Sequence, residues 1–230
     1  MNQPTVTPRF DIYLAIHKAL RVYMGETLGV LGRMDCEDEQ DVSVALAQLR
    51  ELLNICAGHL EHENQFVHKA MERRHPGSTL RIADEHIEHL HALDDLRAAA
   101  TALEHSAAAE RRSAAQRLYR QLTLFVAENF EHMQFEESEH NAVLWAVYAD
   151  AELLAIEAEL VASIPPAEMM VIARWMLANN DHAFRVNMLS GVRAHAPREV
   201  FEGLLAVAQS NLTGRDWRKL ATALALPLAA

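Results

Sequence analysis

The chain has 230 residues, a net charge of −11 and a composition that is 50% hydrophobic, with only 8 glycines and 7 prolines. The abundance of Ala, Leu and Glu favours helices over strands, and the negative charge argues against nucleic acid or an anionic membrane as a partner. Two cysteines, Cys36 and Cys56, are too few for a disulfide scaffold. The N-terminus lacks an apolar stretch of signal-peptide length, and no run of residues reaches the roughly 20 apolar positions that a membrane span needs. These features predict a cytoplasmic protein.

Acidic residues and histidines are concentrated in the first 150 residues. That part carries 24 acidic and 14 basic side chains, a net charge of −10, and 11 of the 13 histidines precede residue 141. An acidic, histidine-rich region suits cation binding.

Four long segments in this first part repeat apolar residues at spacings of three and four, which is typical of helices with one buried face. They run approximately over residues 10–31, 42–70, 83–97 and 118–147. Turn regions separate them, at Asp35–Asp41, at Arg73–Ser78 and at His105–Ser113. Long helices with short connections favour antiparallel neighbours, and we therefore predict an up-down four-helix bundle over residues 1–150.

Shorter helices are predicted after residue 150. They cover about 151–163, 167–180, 182–195, 198–211 and 214–225, with breaks at Pro165–Pro166, Pro197 and Gly214. We expect residues 151–230 to form a helical C-terminal region of unknown role. The predicted fold class is all-α.

Histidine, or histidine with glutamate, interrupts the apolar stripe of each long helix. The interrupting residues are His17, the pair His59 and Glu63, His86, and the pair His132 and Glu136. A His-x-x-x-Glu pair places both side chains on one helix face, one turn apart. Nitrogen and oxygen donors that point the same way are what a metal ion requires from a helix.

The register of the helices brings these six side chains to one level. In antiparallel helices, two residues lie level when the turn falls midway between them. The midpoints of 17 and 59, 63 and 86, and 86 and 132 are 38, 74.5 and 109, and each falls in a predicted turn region. Four imidazoles and two carboxylates inside a bundle suit two iron or manganese ions.

Residues beside the six have weaker predicted roles. Those off the apolar stripes are expected to be solvated, namely Glu61, His62, His89 and His91. His89 also pairs with Glu85 at a spacing of four and is an alternative ligand. His68 and His75 are predicted to be ordinary polar residues near a helix end.

Two further residues lie one turn from a predicted ligand. His140 follows Glu136 by four residues and is a ligand, an outer donor to Glu136, or a packing residue. Tyr13 precedes His17 by four residues; it is a donor to a bound oxygen species or a packing residue.

Residues 10–148 resemble the hemerythrin-like, or HHE cation-binding, domain. The resemblance lies in four stretches, namely "IHKALR" with His17, "HLEHENQF" with His59 and Glu63, "DEHIEHL" with His86, and "HMQFEE" with His132 and Glu136. It implies that His17 and His59 bind one iron and that His86 and His132 bind the other. It further implies that Glu63 and Glu136 bridge the two irons.

The resemblance leads us to expect a non-haem di-iron protein that binds dioxygen or a similar diatomic molecule for sensing, iron handling or redox defence. Oxygen-carrying hemerythrins have a further His four residues after the one on helix three, where this chain has Leu90. The alternatives are a di-iron oxidase, a nitric-oxide or peroxide reductase, and a metal-dependent scaffold whose C-terminal helices dock a partner or a second copy. Manganese or zinc are alternatives to iron, and a metal-free helical bundle is the remaining interpretation.

Overall fold

The computed structural model describes residues 9–227, and within that range every regular element is a helix. The prediction of an all-α chain is confirmed for these residues. Residues 1–8, where we expected no signal peptide, lie outside the described range. Within residues 9–227, no helix is both long enough and apolar enough to cross a bilayer.

Eleven α-helices and two π-helical segments are present in the described part of the chain. The helices are α1 (Leu14–Arg33), α2 (Glu39–His62), α3 (Lys69–Arg74), α4 (Leu80–Glu104), α5 (Ala108–Phe135), α6 (Asn141–Val147), α7 (Asp150–Ser163), α8 (Pro166–Asn179), α9 (His182–His195), α10 (Arg198–Asn211) and α11 (Gly214–Ala223). The π-helical segments, Glu63–His68 and Glu136–His140, connect α2 to α3 and α5 to α6 without a break.

Side-chain caps fix where several helices begin. The carboxylate of Asp11 accepts hydrogen bonds from the backbone N–H groups of Tyr13 and Leu14, both at 3.0 Å. Asp38 accepts from the N–H of Gln40 at 2.8 Å at the start of α2. These carboxylates satisfy N–H groups that have no partner within the helix and lie at its positive end.

The turn between α3 and α4 is held by one carboxylate. Glu72 accepts hydrogen bonds from the backbone N–H of Gly77 and the hydroxyl of Thr79, both at 2.7 Å. Gly77 has a φ of +84°, a conformation that favours glycine. This turn follows residue 74.5, the predicted midpoint between Glu63 and His86. The midpoint at 38 coincides with the residue that caps α2, whereas 109 falls in the first turn of α5, because the Ala-rich stretch is already helical from Ala108.

The described residues form two compact units. The first comprises residues 9–14 and Met24–Ser163, and the second comprises Ala15–Tyr23 and residues 164–227. In the first unit, α4 packs against α2 and α5, and α3 packs against α6. Helix α7 groups with this unit, past the predicted domain boundary at residue 150, because Leu153 is buried in a cluster with Met71, Leu144 and Tyr148.

The second unit has its own apolar core. Helix α10 packs against α8, α9 and α11. Their buried residues form one cluster, Ala173, Leu177, Leu189, Phe201, Leu204, Ala208, Leu220 and Leu224. The ring of Tyr23 stacks on Trp175 with 3.6 Å between ring centroids, which ties the stretch Ala15–Tyr23 to these helices.

Candidate metal centre

Four polar side chains, from α4, α5 and the two π-helical segments, meet in the interior of the first unit. They are Glu63, His86, His132 and Glu136, and all four are buried. One potential ligand atom from each lies within 4.8 Å of the others. Such a group can hold a metal ion.

One close contact in this group joins two imidazole nitrogens. His86 Nε2 lies 3.2 Å from His132 Nε2. The same atom of His86 is 3.5 Å from Glu63 Oε2 and 3.8 Å from Glu136 Oε1, and His132 Nε2 is 3.5 Å from Glu136 Oε2. His86 Nε2 therefore faces both carboxylates, and His132 Nε2 faces that of Glu136.

The outer nitrogens of both rings are held by acceptors. His86 Nδ1 lies 2.9 Å from Asn64 Oδ1, and His132 Nδ1 lies 3.0 Å from Glu85 Oε2. An amide or carboxylate oxygen only accepts, so each ring carries its proton on Nδ1 and directs a lone pair from Nε2 inwards. This arrangement of an outer acceptor and an inward lone pair is typical of histidines that ligate metals.

Glu85 is itself kept ionised by its surroundings. Burial acts to raise the pKa of its carboxyl, but hydrogen bonds from Arg81 and from His132 outweigh burial and leave the pKa below its ordinary value. Arg81 Nε donates to Glu85 Oε1 at 2.8 Å. A charged carboxylate is the stronger acceptor for the Nδ1–H of His132, and it fixes that ring more firmly.

The charges in the centre favour a cation. Burial, followed by the nearby rings of His132 and His68, lowers the pKa of His86 to about 2. Burial, followed by the charge of Glu63, raises the pKa of Glu136 well above its ordinary value. A neutral His86 cannot balance the charge of the two carboxylates, whereas a metal ion would satisfy both kinds of donor.

His59 extends the group and is the least buried of its members. Its Nε2 lies 3.1 Å from Glu63 Oε1, and its side chain is 13% exposed. Glu63 therefore has His59 on one oxygen and His86 on the other. The first unit thus brings together five of the six predicted ligands, namely His59, Glu63, His86, His132 and Glu136.

The sixth predicted ligand, His17, lies in α1 and is fully buried. It belongs to the stretch Ala15–Tyr23, which groups with the second unit. Its role as a ligand stays a prediction.

Two histidines that the helical pattern placed elsewhere, His68 and His89, are buried in the first unit, as is His140 one turn after Glu136. His68, expected near a helix end, is 6% exposed, and His89, expected to be solvated, is 5% exposed. His140 is 1% exposed. His68 and His140 form a further group with Glu136 in which one potential ligand atom from each lies within 4.8 Å of the others. His89 packs edge-on against His132, with 4.7 Å between ring centroids.

The π-helical segments explain why His68 faces inwards. A regular helix turns about 100° per residue, so a residue five positions after Glu63 points away from it. The wider π-helical turn, closed by bonds between residues five apart, brings the fifth residue back under the first. Each segment starts at a glutamate of the centre, Glu63 or Glu136, and ends at a histidine, His68 or His140.

Tyr13 lies against the same group. Its hydroxyl is 3.2 Å from His140 Nδ1, and the side chain is buried. Burial, followed by the charges of Glu136 and Glu63, raises the pKa of the phenol well above its ordinary value. The phenol therefore keeps its proton beside the carboxylates.

Comparison with protein-family models, curated proteins and solved structures finds no match to this chain. Function is therefore inferred from the donor groups themselves. Imidazole nitrogens with carboxylate oxygens suit iron, manganese or zinc better than magnesium or calcium. Among the described residues, no cysteine belongs to the candidate groups, which disfavours a thiolate zinc site.

Proposed function

We propose that the chain is a non-haem di-iron protein of the hemerythrin-like type, which binds dioxygen or a similar diatomic molecule for sensing, iron handling or redox defence. The observation that carries the proposal is the 3.2 Å approach of His86 Nε2 to His132 Nε2 between two buried carboxylates. Both lone pairs point at one region because Asn64 and Glu85 occupy the outer nitrogens. Two lone pairs repel each other at that distance, and a bound cation would remove the repulsion.

The proposed architecture is an up-down four-helix bundle formed by α1, α2–α3, α4 and α5–α6. His17 and His59 would hold one iron, His86 and His132 the other, and Glu63 and Glu136 would bridge them. Glu63 supports the bridging role because its two oxygens face different histidines, at 3.1 Å and 3.5 Å. His17 is included because two residues of antiparallel helices lie level when the turn falls midway between them. The midpoint of 17 and 59 is residue 38, and Asp38 caps the start of α2.

A pair of iron ions would supply electrons for reversible binding or activation of a diatomic molecule. The chain itself keeps His86 neutral, fixes the rings of His86 and His132 through Asn64 and Glu85, and excludes bulk water by burying the carboxylates. Tyr13 holds a proton on its hydroxyl beside His140. Two free cysteines, Cys36 and Cys56, support the proposal of a cytoplasmic location.

Elemental analysis of iron-replete protein tests the proposal. We expect two tightly bound irons per chain and the near-ultraviolet charge-transfer absorption of a bridged iron pair. His59→Ala and His132→Ala should each lose the bound iron, whereas Glu61→Ala, at an exposed position of α2, should retain it. A metal content near zero in the wild-type protein would overturn the proposal, and manganese or zinc in place of iron would correct the identity of the metal.

Catalytic turnover, as an oxidase or as a nitric-oxide or peroxide reductase, is the second candidate. Tyr13 favours it, because a buried phenol hydrogen-bonded to His140 can deliver a proton near the carboxylates. Reduced protein mixed anaerobically with limited O₂, NO or H₂O₂ separates the two functions. A binding protein gives a stoichiometric and lasting change in absorption, whereas an enzyme consumes many equivalents. Tyr13→Phe should slow turnover and leave stoichiometric binding unchanged.

A further inference from the structure

The two histidines that end the π-helical segments are outside the four-residue core of the metal centre. His68 and His140 were not among the six predicted ligands, and the functional proposal gives them no ligand role. Both side chains are at least nine-tenths buried, with 6% and 1% of their surface exposed. Among the described residues, His68 Nε2 and His140 Nε2 are buried atoms with no hydrogen-bond partner.

The side chains of His68 and His140 lie next to a carboxylate. His68, Glu136 and His140 each offer one ligand-type atom within 4.8 Å of the others. Neighbouring aromatic groups fix both rings. His68 stacks on His86 with 4.9 Å between centroids and 11° between planes, and His140 meets His68 edge-on at 5.3 Å. Rings held in this way cannot turn towards solvent to find a partner.

We propose that His68, His140 and Glu136 form an additional site for a first-row divalent cation, beside the di-iron core and sharing Glu136 with it. Two imidazole nitrogens and one carboxylate oxygen are a ligand set that zinc accepts with one coordination position left open. Bridging two irons would use one lone pair on each oxygen of Glu136, and each oxygen has a second lone pair, so the same carboxylate can also bind the additional cation. Tyr13 supports the arrangement, because a metal on His140 Nε2 requires the ring proton on Nδ1, where the oxygen of Tyr13 can accept it.

The proposed di-iron core and the additional site differ in the number of their ligands, so cations bound at the two places can be told apart. The proposed core has four imidazoles and two carboxylates, whereas the additional site has three ligands, one of them shared. We therefore expect its cation to exchange more readily than the core irons. During purification the protein would therefore keep the two core irons and lose the cation of the additional site.

Zinc uptake by the iron-loaded protein tests the proposal, because iron and zinc are counted separately by mass spectrometry. Equilibrium dialysis against Zn²⁺ should give one more zinc ion per chain in the wild type than in the variant carrying His68→Gln and His140→Gln, with equal iron in both. His75→Gln removes an exposed histidine from the end of α3 and should take up as much zinc as the wild type. Equal zinc uptake by the wild type and the double variant would overturn the proposal.

A crystallographic measurement keeps the test valid if the double variant does not fold. Anomalous scattering at the zinc edge, from wild-type crystals soaked in Zn²⁺, should give a peak about 2.0–2.1 Å from both Nε2 atoms. No peak within bonding distance of both atoms would also overturn the proposal. The zinc difference between the two proteins is independent of the core, so a failure of the di-iron proposal would appear separately as absent iron in the wild type.

Discussion

The C-terminal helices α8–α11 and the centre of the first unit bury polar side chains in different ways. In α8–α11 the buried polar residues are Asn180 and Arg185, and both donate to backbone carbonyls. Arg185 Nε reaches the carbonyl of Leu177 at 2.6 Å and its Nη2 reaches that of Ala178 at 2.8 Å, at the end of α8. The chain supplies partners for both.

The first unit buries its polar side chains against one another. Glu63, His86, His132 and Glu136 form one group, and both carboxylates lie near His86, whose pKa is lowered chiefly by burial. Asn180 and Arg185 are thus satisfied by backbone carbonyls, whereas the imidazoles and carboxylates clustered in the first unit can hold a metal ion.

Removal of metal should separate the two regions most strongly. A ligand present at a thousand times its dissociation constant stabilises the folded state by about 4 kcal/mol. Chelation should therefore accelerate hydrogen exchange in α2, α4 and α5 and change α9–α11 much less. Hydrogen-exchange mass spectrometry of iron-loaded and chelated protein measures this. Equal acceleration of hydrogen exchange in both regions would contradict the proposed difference between them.

Leu177→Ala should lower the stability of α8–α11 without changing metal binding. Leu177 is fully buried in the cluster of α8–α11, and truncating such a leucine costs about 2–5 kcal/mol of stability. Urea unfolding gives this loss, and elemental analysis should give an unchanged iron content. Val200→Ala in α10, where the side chain is 44% exposed, is the matched control and should change stability by less than about 0.5 kcal/mol.

Arg185→Met tests whether the backbone partners matter in α8–α11. The substitution keeps most of the side-chain length but leaves the carbonyls of Leu177 and Ala178 without their donor. We expect a loss of about 1–3 kcal/mol in the free energy of unfolding, with iron content unchanged. Arg198→Met, where the arginine side chain is 84% exposed, is the control. Equal stability of the two variants would contradict the role of the buried guanidinium.

Glu85→Ala should have the smallest effect on stability and a selective effect on metal. It removes the acceptor 3.0 Å from His132 Nδ1, so the ring loses its fixed orientation. Loss of such an outer partner lowers metal affinity by about 10–100-fold. Competition with a coloured chelator measures the affinity. Glu88→Ala, at an exposed position of the same helix, should bind metal like the wild type.

Much of the fold was readable from helical periodicity and from helix-breaking residues. Proline and glycine mark the C-terminal helices so clearly that α9 and α10 were predicted with the bounds they have in the structure. The edge of α5 was harder, because "HSAAAERRS" mixes capping residues with alanines that favour helix. The inclusion of α7 in the first unit depends on Leu153, whose burial in a distant cluster leaves no local signal.

The candidate site was only partly readable. The spacing of His59 with Glu63 and of His132 with Glu136 follows regular helical geometry, so the pattern identified those residues. The burial of His68 was not predicted, because a period of 3.6 residues applies only to an α-helix. The sequence "ENQFVH" contains no pattern that predicts a wider turn. Glu85 and Asn64 were missed because their role depends on the neighbouring helix that they face.

The π-helical segment Glu63–His68 also determines which way the side chains of the following helix, α3, face. Wound as an ordinary α-helix, the same 6 residues would turn further around the axis and rotate the downstream residues by about 100°. Met71 would then leave its buried neighbours, and Arg74 would lose its hydrogen bonds to the carbonyl of Val147 and the carboxylate of Glu152. The wide turn therefore links the inward direction of His68 to the packing of α3, because both depend on the same extra residue in the turn.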